Sequence, residues 1–208
     1  MKKIILVAGL VISMAHPSYS QNQEKESMPP VFKDSARLNR LKALAYYPLF
    51  NAGLFSSVLP VEGVDEIPDP GKDYRLLFEF TAGKNDSTHK SLSPGLMEIA
   101  RVINLHVASG IPVSHIHVVV ATHGPSLYEI ENNEAYKKKY GIDNPNTSLI
   151  QQMMQNGVKF IACGQAMQLF MVDKPDLFPG TKVSLTAQTV LSNYSEQGYV
   201  WYRVDQEQ

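Results

Sequence analysis

Cys163 is the only cysteine in the 208-residue chain. It stands where an apolar, strand-like run, Val158-Lys159-Phe160-Ile161-Ala162, gives way to Gly164 and a short apolar helix. At such a junction free backbone N–H groups and the positive end of the helix favour thiolate over thiol, which suits a nucleophile or a sulfur carrier. Without chemistry, the same residue is simply a small apolar side chain of the core. Two further strand ends carry groups that could act with it. After Tyr74–Phe80 come Thr81-Ala82-Gly83-Lys84-Asn85-Asp86, with His89 just beyond, and after Ile116–Ala121 come Thr122-His123-Gly124-Pro125. His123 could polarise the thiol or a bound substrate, or its ring could cap the turn that follows. The rim residues expected to shape a substrate pocket around Cys163 are therefore Thr81, Gly83, Asn85, His123, Gly124 and Gly164.

Other chemistries lack their signatures. His115 and His117 form an H-x-H pair on one face of the second strand, a spacing that metals use. They lie at its amino-terminal end, however, and no carboxylate or third histidine has a matching spacing, so no metal is expected. Gly83-Lys84 lacks the rest of a G-x-x-x-x-G-K-[ST] phosphate loop, which excludes a nucleotide hydrolase of that type. Neither a G-x-S-x-G elbow nor a G-x-G-x-x-G turn occurs, so serine-hydrolase and dinucleotide readings have no support and no cofactor is expected.

The elements that must position these residues follow from periodicity and breakers. A strand over Tyr74–Phe80 precedes a helix that Ser93 caps, Pro94 opens and Gly110 closes, with Leu96, Ile99, Ala100, Ile103 and Val107 on one face. A second strand covers Ile116–Ala121, and its unbroken apolar run predicts cover on both sheet faces. Residues 122–146 read as a long polar loop, with a lid as one use for it. A helix with Leu149, Ile150, Met153 and Met154 then leads to Gly157 and the third strand. Residues 182–185 form a fourth strand, Thr186 caps a last helix with Ala187, Val190, Leu191 and Tyr194, and Tyr199–Val204 form a fifth. Strands alternating with helices predict a three-layer α/β fold, a mostly parallel five-stranded sheet with helices on both faces. Ligands of such sheets bind at the carboxyl ends of the strands, which is the rim named above.

The amino-terminal region is of another kind. Lys2 and Lys3, an apolar run from Ile4 to Met14 and the small-residue end Ser18-Tyr19-Ser20 have the layout of a secretory signal peptide over residues 1–20. Cleavage after Ser20 would leave no membrane span and a periplasmic or secreted product. Residues 21–45 read as a flexible leader with a short helix over 35–45, in which Leu38, Leu41 and Ala45 share a face. Residues 46–71 are rich in Pro and Gly and read as extended cover for the domain at 46–208. Lys2 and Lys3 leave with the leader, so the 19 basic and 20 acidic residues of the chain reduce to a balance of about −3. With no clustered basic face, nucleic acid is not an expected partner. One cysteine in an exported chain excludes an internal disulfide and flags the thiol as buried, paired between chains or chemically used.

In their order these motifs resemble the DsrE/DsrF-like sulfur-relay family, in particular its small exported members. The resemblance rests on Pro48 through Val58-Leu59-Pro60 to Pro68-Asp69-Pro70-Gly71-Lys72-Asp73-Tyr74 and on Phe78-Glu79-Phe80-Thr81. It continues through His123-Gly124-Pro125, Gly157-Val158-Lys159-Phe160 with Cys163-Gly164, Phe178-Pro179-Gly180 and Gly198-Tyr199. It implies a flavodoxin-related sheet, assembly into homo-oligomers such as trimers or hexamers, and a persulfide on Cys163 exchanged with a sulfur-donor or acceptor protein. A non-catalytic module that uses the same rim to bind a small ligand or a protein is the alternative.

Overall fold

The computed structural model describes residues 34–81 and 89–205. The chain divides into two compact units between Ala43 and Leu44. The described part of the first is helix α1 (Ser35–Leu44), which has no fully buried residue. Leu38 and Leu41 of this helix are half-buried.

The second unit is built on five parallel strands: β1 (Tyr74–Phe80), β2 (Ile116–Thr122), β3 (Lys159–Cys163), β4 (Lys182–Ser184) and β5 (Val200–Val204). Their order across the sheet is β4-β3-β2-β1-β5. Between them run α2 (Pro94–Ala108), α3 (Asn133–Tyr140), α4 (Thr147–Gln155), α5 (Gly164–Phe170) and α6 (Ala187–Glu196). The α/β class and the parallel sheet with helices on both faces are therefore as the alternating pattern predicts.

Strand alternation sorts the side chains onto two faces. Leu76, Phe78 and Phe80 of β1, Val118 and Val120 of β2, and Phe160 and Ala162 of β3 join the larger core. That core is closed by Leu96, Ile99 and Ile103 of α2, Leu149, Ile150 and Met153 of α4, and Met167 of α5. The other face carries Leu77, Val119, Ala121 and Ile161 beneath Val190 and Leu191 of α6. One helix cannot cover five strands, and Trp201 of β5 is left 53 % exposed.

Local signals act as expected at several ends. Ser93 Oγ accepts from Leu96 N at the start of α2, with Pro94 in its first turn. Gly95 has to be glycine for packing, since a Cβ there would collide with the ring of Phe80. Residues 46–58 lie across α2 as irregular structure, with one antiparallel bridge between Tyr46 and Val58. The fully buried Asn104 of α2 holds this strap by accepting from Phe50 N (2.9 Å) and donating to Phe50 O (2.8 Å) and Ser56 O (2.7 Å).

Residues 122–146 are not the open loop expected. A 3-10 helix spans Gly124–Ile130 and α3 follows, burying Leu127, Ile130 and Tyr136. Asn132 caps α3 by accepting from Ala135 N at 2.9 Å, and Gly141 ends it with φ +75°. Buried Asn144 and Asn146 tie its far end to the Glu129 and Glu131 carbonyls. A segment anchored at this many points is part of the core wall, so the lid reading does not hold.

Candidate functional site

The connections create one crevice. The helix after β3, α5, packs in the larger core, whereas the helix after the neighbouring β4, α6, packs on the opposite face. Adjacent strands whose following helices diverge in this way mark the topological switch point, where open α/β sheets bind ligands. Cys163 stands at that point, opposite Ser184 in the β3–β4 register.

The strand runs one residue further than the sequence predicts, so Cys163 is both the last residue of β3 and the N-cap of α5. Its Sγ accepts from Ala166 N at 3.4 Å, as a cap side chain does. The residue is 5 % exposed, which puts the thiol just beneath the rim. Gly164 has a packing duty: a Cβ there would lie 2.8 Å from the Ser184 carbonyl oxygen, so only glycine lets α5 start this close to β4. Gln165 N completes the junction by donating to Leu185 O at 3.1 Å.

His123 leaves β2 still extended, at φ −151° and ψ 168°. Since Thr122 pairs with Ala162, His123 and Cys163 are the next residues of neighbouring strands and share the α6-side face. His123 Nε2 lies 3.0 Å from Glu79 Oε1 of β1. Glu79 is 8 % exposed, and a carboxylate so buried needs such a partner. The turn behind the ring is fixed by Ser126, whose Oγ lies 2.6 Å from Phe80 O and 2.8 Å from His123 O. Gly124 takes φ +66° there, and a Cβ on it would sit 4.0 Å from Thr81 O, so the β1 and β2 exits converge. Thr81 itself is half-buried and donates its N–H to Val204 O.

Gly83 and Asn85 lie outside the described residues. His89 is engaged elsewhere: its ring stacks on Tyr140 of α3 at 4.9 Å, and its carbonyl accepts from Tyr136 OH. Among the described residues no hydrogen bond joins Cys163 Sγ to the His123 imidazole.

Two groups escaped sequence reasoning. Glu79 is one, since only the β1–β2 pairing, Glu79 with Ala121, brings it beneath His123. Asp73 is the other. A carboxylate does meet the H-x-H pair, because Tyr74 pairs with Ile116 and sets Asp73 beside it. Asp73 Oδ1 lies 3.2 Å from His115 Nδ1 and 3.3 Å from His117 Nε2. The hydrogen bond from His117 holds the Asp73 carboxyl below its ordinary value. No three His, Cys, Asp or Glu side chains among the described residues are arranged to hold a metal ion.

The fold and the rim thus define a parallel α/β protein with a cysteine at its switch point. The model of the DsrE/DsrF-like family matches residues 75–201, and the chain belongs to that family. Among solved structures it is similar to a protein of unknown function, MTH1491, from Methanobacterium thermoautotrophicum. The two are 18 % identical with a TM-score of 0.47, over 63 % of this chain and 99 % of that one. No curated protein matches.

Proposed function

We propose that this chain is an exported member of its family that accepts sulfane sulfur on Cys163 and passes it on. The observation that carries the reading is the place of the thiol: it ends β3 at the switch point, with Sγ held by Ala166 N–H. This N–H contact fixes Sγ in one position, where it would be the inner sulfur of a Cys163 persulfide. Thr81, His123, Gly124 and Gly164 border the approach. The basic, apolar and small-residue sections of residues 1–20 support export to the periplasm or beyond. Among the described residues no helix is long and apolar enough to cross a membrane. Half-exposed Trp201 and exposed Leu185 supply apolar surface for a homo-oligomer, a trimer or hexamer by family resemblance, or for a sulfur donor or acceptor protein.

Mass spectrometry after exposure to inorganic polysulfide tests the reading. The wild-type protein should gain 32 Da increments on the Cys163 peptide, roughly one sulfur atom each, and Cys163→Ser should gain none. The folded protein should also react with iodoacetamide. Resistance to that reagent until the chain is unfolded would exclude a reachable thiol. The low exposure of Cys163 favours a second reading, a module that keeps the fold and binds a ligand or partner at the rim without using the sulfur. Full cellular function of Cys163→Ala would select it.

A further inference from the structure

The Glu79–His123 pair has no evident structural need. Its neighbours on that face, Leu77, Val119, Ala121 and Ile161, make an ordinary apolar core under α6, yet the next position holds a carboxylate that is 8 % exposed. A carboxylate oxygen accepts, so the 3.0 Å contact has Nε2 of His123 donating to Glu79 Oε1. Nδ1, the other ring nitrogen, has no hydrogen-bond partner among the described residues. The ring occupies the middle strand of three: Glu79 is on β1, His123 follows β2, and Cys163 ends β3. Thiol and imidazole each have their own partner, Ala166 N–H and Glu79, and nothing among the described residues bridges them.

The geometry points to a small persulfide or polysulfide as the bridge, with Glu79 as the positioning residue that holds His123 to protonate the departing thiol. This rests on the sulfur-acceptor reading above. In the transfer, Sγ of Cys163 attacks the terminal sulfur of R–S–SH. The Sγ–S bond forms while the R–S–S bond breaks, and its electron pair leaves on R–S. The attacking Cys163 sulfur has already given its proton to solvent, and His123 delivers a proton to the departing sulfur, giving Cys163–S–SH and R–SH with no outside oxidant or reductant. Two S–S lengths in line span about 4.1 Å, and neighbouring strands are about 4.8 Å apart. A sulfur leaving in the direction of β2 therefore arrives at the strand that carries the imidazole.

The test compares three reagents on the full-length protein and on Glu79→Gln, with His123→Asn as a second variant and thermal melts to confirm folding. Cysteine persulfide has a basic alkyl thiol to expel, the aromatic disulfide 5,5′-dithiobis(2-nitrobenzoate) expels an acidic one, and iodoacetamide expels none. Loss of a positioned proton donor should slow persulfide transfer about 10-fold or more in both variants. The aromatic disulfide and iodoacetamide should react within about 2-fold of wild type, because their leaving groups need no proton. Equal slowing of all three reagents, or none, would overturn the role of Glu79 and leave the acceptor reading standing. A wild-type chain that reacts with iodoacetamide but takes no sulfur would overturn the acceptor reading, and this proposal with it.

Discussion

Replacing Glu131 by Gln should make the protein more stable above neutral pH and leave it unchanged in acid. Glu131 follows the 3-10 helix, forms an isolated bridge with Leu177 and is 5 % exposed. Its Oε2 is buried without a hydrogen-bond partner among the described residues. Burial pushes the carboxyl up from its ordinary 4.5 to about 7, against the pull of Lys139 and with a small push from Asp176. Between those values the folded chain binds a proton that the unfolded chain has released, so stability must fall as pH rises. The full contribution is present below 4.5 and is gone above about 7. Each pH unit of separation is worth about 1.4 kcal/mol, giving an upper limit of about 3.4 kcal/mol. Lys139, poised over the Tyr128 ring, keeps its cation–π contact in the variant but loses the attraction of the Glu131 charge, worth up to about 1 kcal/mol. A net gain of about 2 kcal/mol at pH 8 is expected, which is about 4–8 °C in Tm for a domain of this size. Urea titrations followed by circular dichroism at pH 4 and pH 8 measure it. The same stability difference at both pH values would refute the reasoning.

Two packing predictions accompany it. Asn104→Ala should leave the Phe50 and Ser56 backbone groups without partners and cost about 2–4 kcal/mol. Hydrogen exchange should show the loss concentrated in residues 46–58. Gly164→Ala should force a Cβ against the Ser184 carbonyl, costing about 1–3 kcal/mol in urea unfolding. It should also change the iodoacetamide rate of Cys163, since the strand end that holds the thiol has to shift; an unchanged rate and midpoint would show that β4 yields freely.

Where one apolar period runs unbroken between clear breakers, sequence and structure agree closely. Tyr74–Phe80 and the helix from Pro94 are found at the residues expected. Cys163 lies at the strand–helix junction as expected, but the strand end differs by one residue because a strand-terminal cysteine and an N-cap cysteine look alike until the Cys163–Ser184 pairing is known. The segment 122–146 reads as a loop in sequence because α3, NEAYKKKY, buries only Tyr136 and so shows no apolar stripe. Its brackets, Asn132 and Gly141, were present in the sequence and were the better signal. Glu79 and Asp73 were illegible for another reason: each acquires its histidine partner through the register of β1 on β2, which no local pattern specifies.

The order of the sheet also constrains how the domain is born. β2, β3 and β4 are each laid beside the strand before, but β5 returns to the far side of β1. Until residues 200–204 have been synthesised, β1 is an open edge with unpaired amides, a template for wrong partners. Val204 O receives the Thr81 amide, so this support for Thr81 is made after the other four strands. In the growing chain Cys163 is therefore made before the strand that walls Glu79.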